Sequence, residues 1–310
     1  VKERFQEINF APSSMILIEK ANAILDEYQR QGYQLTLRQL YYRFVAGDLL
    51  PEEWADRKTG SKNNEGSYKK LGEVISRARL AGLIDWDVLE DRTRSLRENN
   101  HWDHPADIIN AAISQYRRDL RQGQAVRPEV WVEKDALVDV VGRPCRALDV
   151  PYFSCRGYVS SSTLYEAAQR FLQYLEDGAE EVRVIHLGDH DPSGIDMTRD
   201  VLERVELFLK GKAPRLTVKR IALNHDQVLQ YNPPPAPAKI TDTRAADYIA
   251  QFGDDCWELD ALEPKTIDAL VRRAVEEVTD PDPWNAAMAK QTEERAALEK
   301  VRDELKKGLV

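Results

Sequence analysis

Three carboxylates and one tyrosine are the residues whose types and spacing could do chemistry. Asp189 and Asp191 lie in GDHDPSGIDM (188–197), directly after the apolar run VRVIHLG, and a second run, EVWVE, finishes in Glu133. Side chains alternate along extended chain, so Asp189 and Asp191 face one side and His190 the other. In open parallel sheets ligands bind at the carboxyl ends of strands, which is where these acids would sit. Oxygen donors suit Mg²⁺, which keeps several waters and is held by one or two carboxylates plus substrate phosphates. Such an ion would neutralise charge on a transferring phosphoryl group. Pro192 and Gly194 stop the strand and let the next helix start beside the acids, where its N-terminal dipole favours phosphate. An ordinary strand-to-helix turn with acidic caps would show the same Asp-x-Asp, so the pattern alone leaves both readings open.

The tyrosine belongs to LRQLYYRFV (37–45). At ~100° per residue, Leu37, Leu40, Tyr41, Phe44 and Val45 share an apolar face. Tyr41 is therefore expected in the core, and Tyr42 at the edge of that face, one turn after Arg38. A phenol of pKa ~10 attacks poorly near neutral pH unless a cation or metal stabilises the phenolate, and Arg38 is such a cation. Core packing is the plainer explanation of a tyrosine pair on an amphipathic helix.

The elements that must position these residues fall into two groups. Periodicity predicts a helix over Ser14–Arg30, a second from the Thr36 cap through LRQLYYRFVAG, and a third, YKKLGEVISRARLAG, capped by Ser67 and ended by Gly82. A hairpin is expected next, with Leu83–Leu89 as its first arm and the stretch after Glu90 as its second. Helix, helix, basic helix and wing is the order of a winged helix–turn–helix module, whose third helix can lie in the major groove. A connector helix is predicted between His104 and Gln122. Beyond it EVWVE, PYFSC, VRVIHLG and LTVKRIAL alternate with helical segments (136–148, 163–177, 195–210), which means a parallel sheet covered by helices. NPPPAPAK (232–239) reads as a stiff connection, CWELDAL as a further strand, and Pro283–Leu309 as a charged amphipathic helix packed on the body or on a second copy. The expected fold is thus α/β: a winged-helix DNA-binding domain (1–100), a connector (101–128), a Rossmann-like parallel-sheet domain (129–280) and a C-terminal helix (281–310).

The net charge of −9 argues against a nucleic-acid partner until its distribution is considered. Residues 1–100 carry 16 basic and 16 acidic side chains, so the whole excess lies later in the chain. Within Arg57–Arg79, seven basic residues face two acidic ones, a local +5 (7 − 2) that fits either a phosphate-binding patch or a solvated helix face. The three cysteines form no CxxC pair, and the five histidines show no metal-ligand spacing, so neither a disulfide framework nor zinc is expected. No apolar run approaches the ~18–20 residues of a membrane helix, and the first residues do not read as a signal peptide; a soluble, cytoplasmic chain is expected.

Three strings, VEKDAL (132–137), CRGYVS (155–160) and GDHDPSGIDM (188–197), resemble in order and spacing the Toprim domain of topoisomerases, primases and related nucleases. The form DxDPxGxxM is most similar to the A subunit of topoisomerase VI and its relatives that make meiotic double-strand breaks. In that family a motif like LRxxYYR precedes the Toprim domain on a winged helix, and it falls here on Leu37, Arg38, Tyr41, Tyr42 and Arg43. The resemblance covers most of residues 30–225 and looks like that of a short, stand-alone relative. It implies Glu133, Asp189 and Asp191 as ligands of Mg²⁺, with Mn²⁺ as a substitute, and Glu133 also as a general acid or base. Tyr42 would be the nucleophile that forms a 5′-phosphotyrosyl link, and Arg38 would support the transition state. The partners implied are double-stranded DNA and a second copy, the metal site of one subunit serving the tyrosine of the other. Arg43, Lys69, Lys70, Arg77 and Arg79, with Arg92 and Arg94 in the wing, would hold the DNA. The chain departs from the long A subunit in its length and in its tail. It has no GxxxxGK[ST] loop, so an ATP-driven topoisomerase cycle would need a separate ATPase partner. Two other functions fit the same residues: a Toprim endonuclease that uses water, and a DNA-binding assembly component with little catalysis.

Overall fold

The computed structural model describes residues 2–89, 99–211, 215–237 and 244–308. Helices α1 (Pro12–Arg30), α2 (Leu37–Ala46) and α3 (Glu65–Leu80) come first, followed by α4 (Pro105–Gln115). Helix α2 starts where the sequence says it should. Thr36 accepts from the Gln39 amide at 3.2 Å while the Gln39 side chain accepts from the Thr36 amide at 2.9 Å, a reciprocal capping box. Leu17, Ile18 and Leu25 of α1, Leu40 and Phe44 of α2, and Leu71 and Ile75 of α3 close one apolar core.

The sheet comprises β1 (Val126–Val132), β2 (Tyr152–Ser154), β3 (Glu181–Leu187) and β4 (Leu216–Ala222), all parallel, in the order β2-β1-β3-β4. Between these strands run α5 (Val138–Ala147), α6 (Ser161–Glu176) and α7 (Pro192–Leu209); after β4 come α8 (His225–Tyr231), β5 (Ala236–Pro237), α9 (Ala245–Phe252), β6 (Asp255–Cys256), α10 (Pro264–Glu276) and α11 (Pro281–Gly308). Alternation along the strands divides their residues between two cores. Val130, Val132, Ile185 and Leu187 pack with α5 and α10, whereas Trp131, Val182 and Val184 pack with α6 and α7. Each such side chain, fully buried, contributes about 1.5–3 kcal/mol. The α/β class and helix-covered parallel sheet are therefore present.

Several details differ from expectation. Helix α3 begins at Glu65 because Asn64 is the better-placed cap, accepting from the Ser67 amide at 2.9 Å; Ser67 itself is buried and donates to the Trp54 carbonyl at 2.8 Å. The first arm of the hairpin, Leu83–Leu89, is not a strand. It is a turn-rich segment tied by a single parallel bridge from Leu89 to Leu35, and the second arm, with Arg92 and Arg94, lies outside the described residues. CWELDAL is strand only at Asp255–Cys256, which pairs antiparallel with Ala236–Pro237, and then turns into a 3₁₀ segment at Leu259–Ala261. Helix α11 packs on the segment after α4. Arg118 meets Glu294 at 2.8 Å, and the Tyr116 hydroxyl donates to the same carboxylate at 2.6 Å.

Candidate active site

The turn after β3 is built on two glycines and a half-buried arginine. A Cβ on Gly188 would lie 2.8 Å from Glu133 Oε2 and push that carboxylate aside, and one on Gly194 would lie 2.3 Å from the Asp189 carbonyl oxygen, where only hydrogen fits. Arg220, from β4, donates to the carbonyls of Gly188 (2.9 Å), Asp189 (2.5 Å) and Gly194 (2.8 Å). The guanidinium fork satisfies these carbonyls together. The Asp189 amide donates to Glu133 Oε2 at 2.8 Å, joining the ends of β1 and β3. Asp191 caps α7 by accepting from the Gly194 amide at 2.6 Å. His190 points the other way, as alternation requires, with Nδ1 2.7 Å from the Tyr248 hydroxyl. Its backbone pairs with Trp257 through two hydrogen bonds, at 2.8 and 3.0 Å, which draws the tail against the loop.

That pairing brings two acids the sequence reading did not select. Oxygens of Asp189, Glu258 and Asp260 lie within 4.8 Å of one another, a buried acidic triad that can hold a metal ion. The Lys134 ammonium stands among them, 3.0 Å from Asp189 Oδ2 and 2.9 Å from Asp260 Oδ1, and bonded to Glu258. Asp189 Oδ1 accepts from the Leu259 amide at 2.7 Å. Burial, with Glu133, Asp260 and Glu258 nearby, pushes the Asp189 carboxyl up to about 8 against the pull of Lys134. Burial raises Glu133 as well, and the charge of Asp191 adds to the effect. Glu133, Asp189 and Asp191 are thus near neighbours, but the closest group of acid oxygens among the described residues is Asp189 with Glu258 and Asp260. One signal could have found the tail pair: Glu258 and Asp260 are two apart, the spacing that drew notice to Asp189 and Asp191.

Helix α2 delivers Arg38 and Tyr42 to the same place in the same chain. Arg38 Nη2 donates to the Tyr42 hydroxyl at 3.2 Å and to both Glu258 oxygens at 3.0 Å, and Arg38 Nε lies 3.5 Å from Asp260 Oδ2. The Arg38–Tyr42 neighbourhood follows the helical spacing, but Tyr42 lies deeper than a face edge, only 3 % exposed. Burial pushes its phenol far above the ordinary range, Asp260 and Glu258 push further, and Arg38 and Lys134 oppose. Tyr41 is in the core as expected, its hydroxyl accepting from the Asn64 amide at 2.8 Å.

The residues expected to hold DNA divide. Lys69, Lys70 and Arg77 are exposed on α3, Lys69 beside Glu65 at 2.7 Å and Lys70 above the Trp54 ring. Arg79 turns inward instead, 4.4 Å from the Trp86 ring centre and donating to the Trp86 carbonyl at 2.7 Å. Arg43 also faces the body, bonded to the Ala261 carbonyl and 3.8 Å from Glu263. Neither points to solvent as its helical face suggests, and the reason is the same: helical spacing gives a face, and what packs on that face is decided by residues outside the helix. Above the acids opens a cavity of about 720 Å³ lined by Arg38, Glu133, Lys134, Arg156, Asp189 and Glu258, among others.

His186, one strand position before Leu187, is fully buried, with Nδ1 2.8 Å from the Thr198 hydroxyl, and burial drives its pKa from 6.5 down to about 3. A folded-state value below the unfolded one gives stability that is present above pH 6.5 and lost as the pH falls toward 3. At pH 5 this residue alone should cost about 2 kcal/mol, and His186→Gln should flatten the pH dependence of urea denaturation over that window. An unchanged slope in the variant would remove His186 from the account.

No protein-family model matches the chain, and it matches no curated protein and no solved structure. No described helix is long and apolar enough to cross a membrane. What stands is an α/β chain with an acidic, cation-filled cluster at the carboxyl end of a parallel sheet and a tyrosine–arginine pair set against it.

Proposed function

We propose that the chain cleaves or nicks double-stranded DNA with Tyr42 as nucleophile, in the manner of a type IIB topoisomerase A subunit. The observation that carries this reading is the meeting, within one chain, of the Arg38–Tyr42 pair with the carboxylates of Asp189, Glu258 and Asp260. The Tyr42 oxygen would bond to phosphorus as the P–O3′ bond breaks. The phenol proton would leave to a site carboxylate such as Glu133, and the 3′ oxygen would take up a proton. The product is a free 3′ hydroxyl and a 5′ end linked to the protein. The donor set is all oxygen and fits Mg²⁺ or Mn²⁺, which Asp189 would hold with Glu133 and Asp191 or with Glu258 and Asp260. When bound, the ion would supply charge neutralisation at the phosphoryl group. Helices α1 to α3 would form the helical part of the winged-helix domain (1–100), with Lys69, Lys70 and Arg77 on the phosphate backbone. The sheet domain (129–280) would carry the metal site. A homodimer would cut both strands, and turnover driven by ATP would need a separate partner.

The test is a denaturing gel of end-labelled DNA incubated with the protein and Mg²⁺ or Mn²⁺. Wild type should retain label on the protein, and Tyr42→Phe should leave less than about a thousandth of that adduct. The burial of Tyr42 favours a second reading, a metal-dependent endonuclease that uses water. Cleavage that survives Tyr42→Phe with no label on protein would establish that reading and sink the first.

A further inference from the structure

Glu258 is held by two donors from two other parts of the chain. Both of its oxygens receive Arg38 Nη2 at 3.0 Å, the Lys134 ammonium is bonded to it, and the Tyr42 hydroxyl accepts from the same Arg38 nitrogen at 3.2 Å. A guanidinium nitrogen and an ammonium converging on one anion, with a hydroxyl alongside, would bind a phosphodiester as readily as a carboxylate, since both offer paired oxygens to the same cations. The carboxylate is itself 29 % exposed and borders the 720 Å³ cavity, so an anion entering from solvent can reach its position. It stands on the short segment between β6 and α10, tied down through the His190–Trp257 pairing and the Leu259 amide bond to Asp189.

Building on the function proposed above, we infer that Arg38, Lys134 and the Tyr42 hydroxyl form the subsite for the scissile phosphate, and that Glu258 fills this subsite in the resting protein. Lys134 thereby becomes a substrate-binding residue, and the tail becomes a built-in competitor. The Tyr42 hydroxyl and Glu258 share one Arg38 nitrogen, so a phosphate that takes the carboxylate's place meets the phenol.

The experiment has two arms, one without nucleic acid. In the first, tetranitromethane nitrates surface tyrosines and mass spectrometry reads the fraction modified at Tyr42. In the second, a short fluorescein-labelled duplex reports binding by anisotropy in EDTA. Glu258→Gln, of the same shape without the charge, should raise both Tyr42 nitration and duplex affinity by about tenfold, the scale of one charge-assisted contact. Adding Arg38→Gln should remove the gain in affinity. If the amide is not tolerated by the fold, Glu258→Ala, which also removes the anion, asks the same question. Unchanged nitration together with unchanged affinity overturns the inference. Raised nitration without any duplex binding keeps the opened anion site and sinks DNA as its ligand, and with it the proposed function.

Discussion

Replacing Lys134 with methionine should destabilise the fold by about 3–5 kcal/mol at pH 7, because it leaves buried carboxylates without their counter-charge. The ammonium is shared by Asp189, Asp260 and Glu258, and Asp260 has a side chain with no exposure at all. Of the three acids Arg38 reaches only Glu258 and Asp260, so in the variant these two share Arg38 alone, while Asp189 loses its ion-pair partner and stays protonated to higher pH. The loss should shrink in acid. Asp189, with a folded value raised to about 8 from 3.8, stabilises the fold below pH 3.8 and progressively less as the pH rises through 8; removing Lys134 raises it further and extends that decline to higher pH. Urea denaturation across this range reads the effect. Millimolar Mg²⁺ should restore part of the stability of Lys134→Met while changing wild type far less, since a ligand stabilises by RT ln(1 + [L]/Kd) and wild type already has a cation in place. A variant as stable as wild type, or one indifferent to Mg²⁺, would show that the triad is no cation site.

The second large effect is expected at Gly194. A methyl group there would lie 2.3 Å from the Asp189 carbonyl oxygen and 3.1 Å from that residue's carbonyl carbon and nitrogen, all backbone atoms with no flexible end to move aside. The same carbonyl is already fixed by Arg220, and the Gly194 amide is fixed by Asp191. Gly194→Ala should therefore cost about 3 kcal/mol or more and displace Asp189 from the triad. Gly178→Ala is the control. Its φ of 101° disfavours a side chain, but nothing lies within 4 Å, so a loss of about 1 kcal/mol is expected from the backbone alone. Equal losses at both glycines, measured by urea denaturation, would contradict the close approach.

How much could be read in advance depends on the range of the interaction concerned. Thr36 and Gln39, three residues apart, set the start of α2, and the i, i+4 spacing set Arg38 beside Tyr42. Apolar runs of strand length alternating with helical segments gave a parallel sheet, and the strand ends placed Glu133 and Asp189 together. Each of these depends on period and local chemistry, which a sequence carries openly. By contrast Leu83–Leu89, alternating enough to suggest a strand, had no neighbouring strand among the described residues with which to pair.

The residues themselves determined an α/β chain, a tyrosine flanked by arginine, and acids gathered at strand termini. Only tertiary structure decided that Glu258 and Asp260 join Asp189, that Lys134 stands between them, that Arg43 and Arg79 turn inward, and that Tyr42 is covered. Those outcomes rest on contacts between segments up to 220 positions apart, as between Arg38 and Glu258. For the acidic cluster the physical cause is the pairing of Trp257 with His190, a backbone contact that no side-chain pattern announces, because every residue type except proline offers the same donor and acceptor.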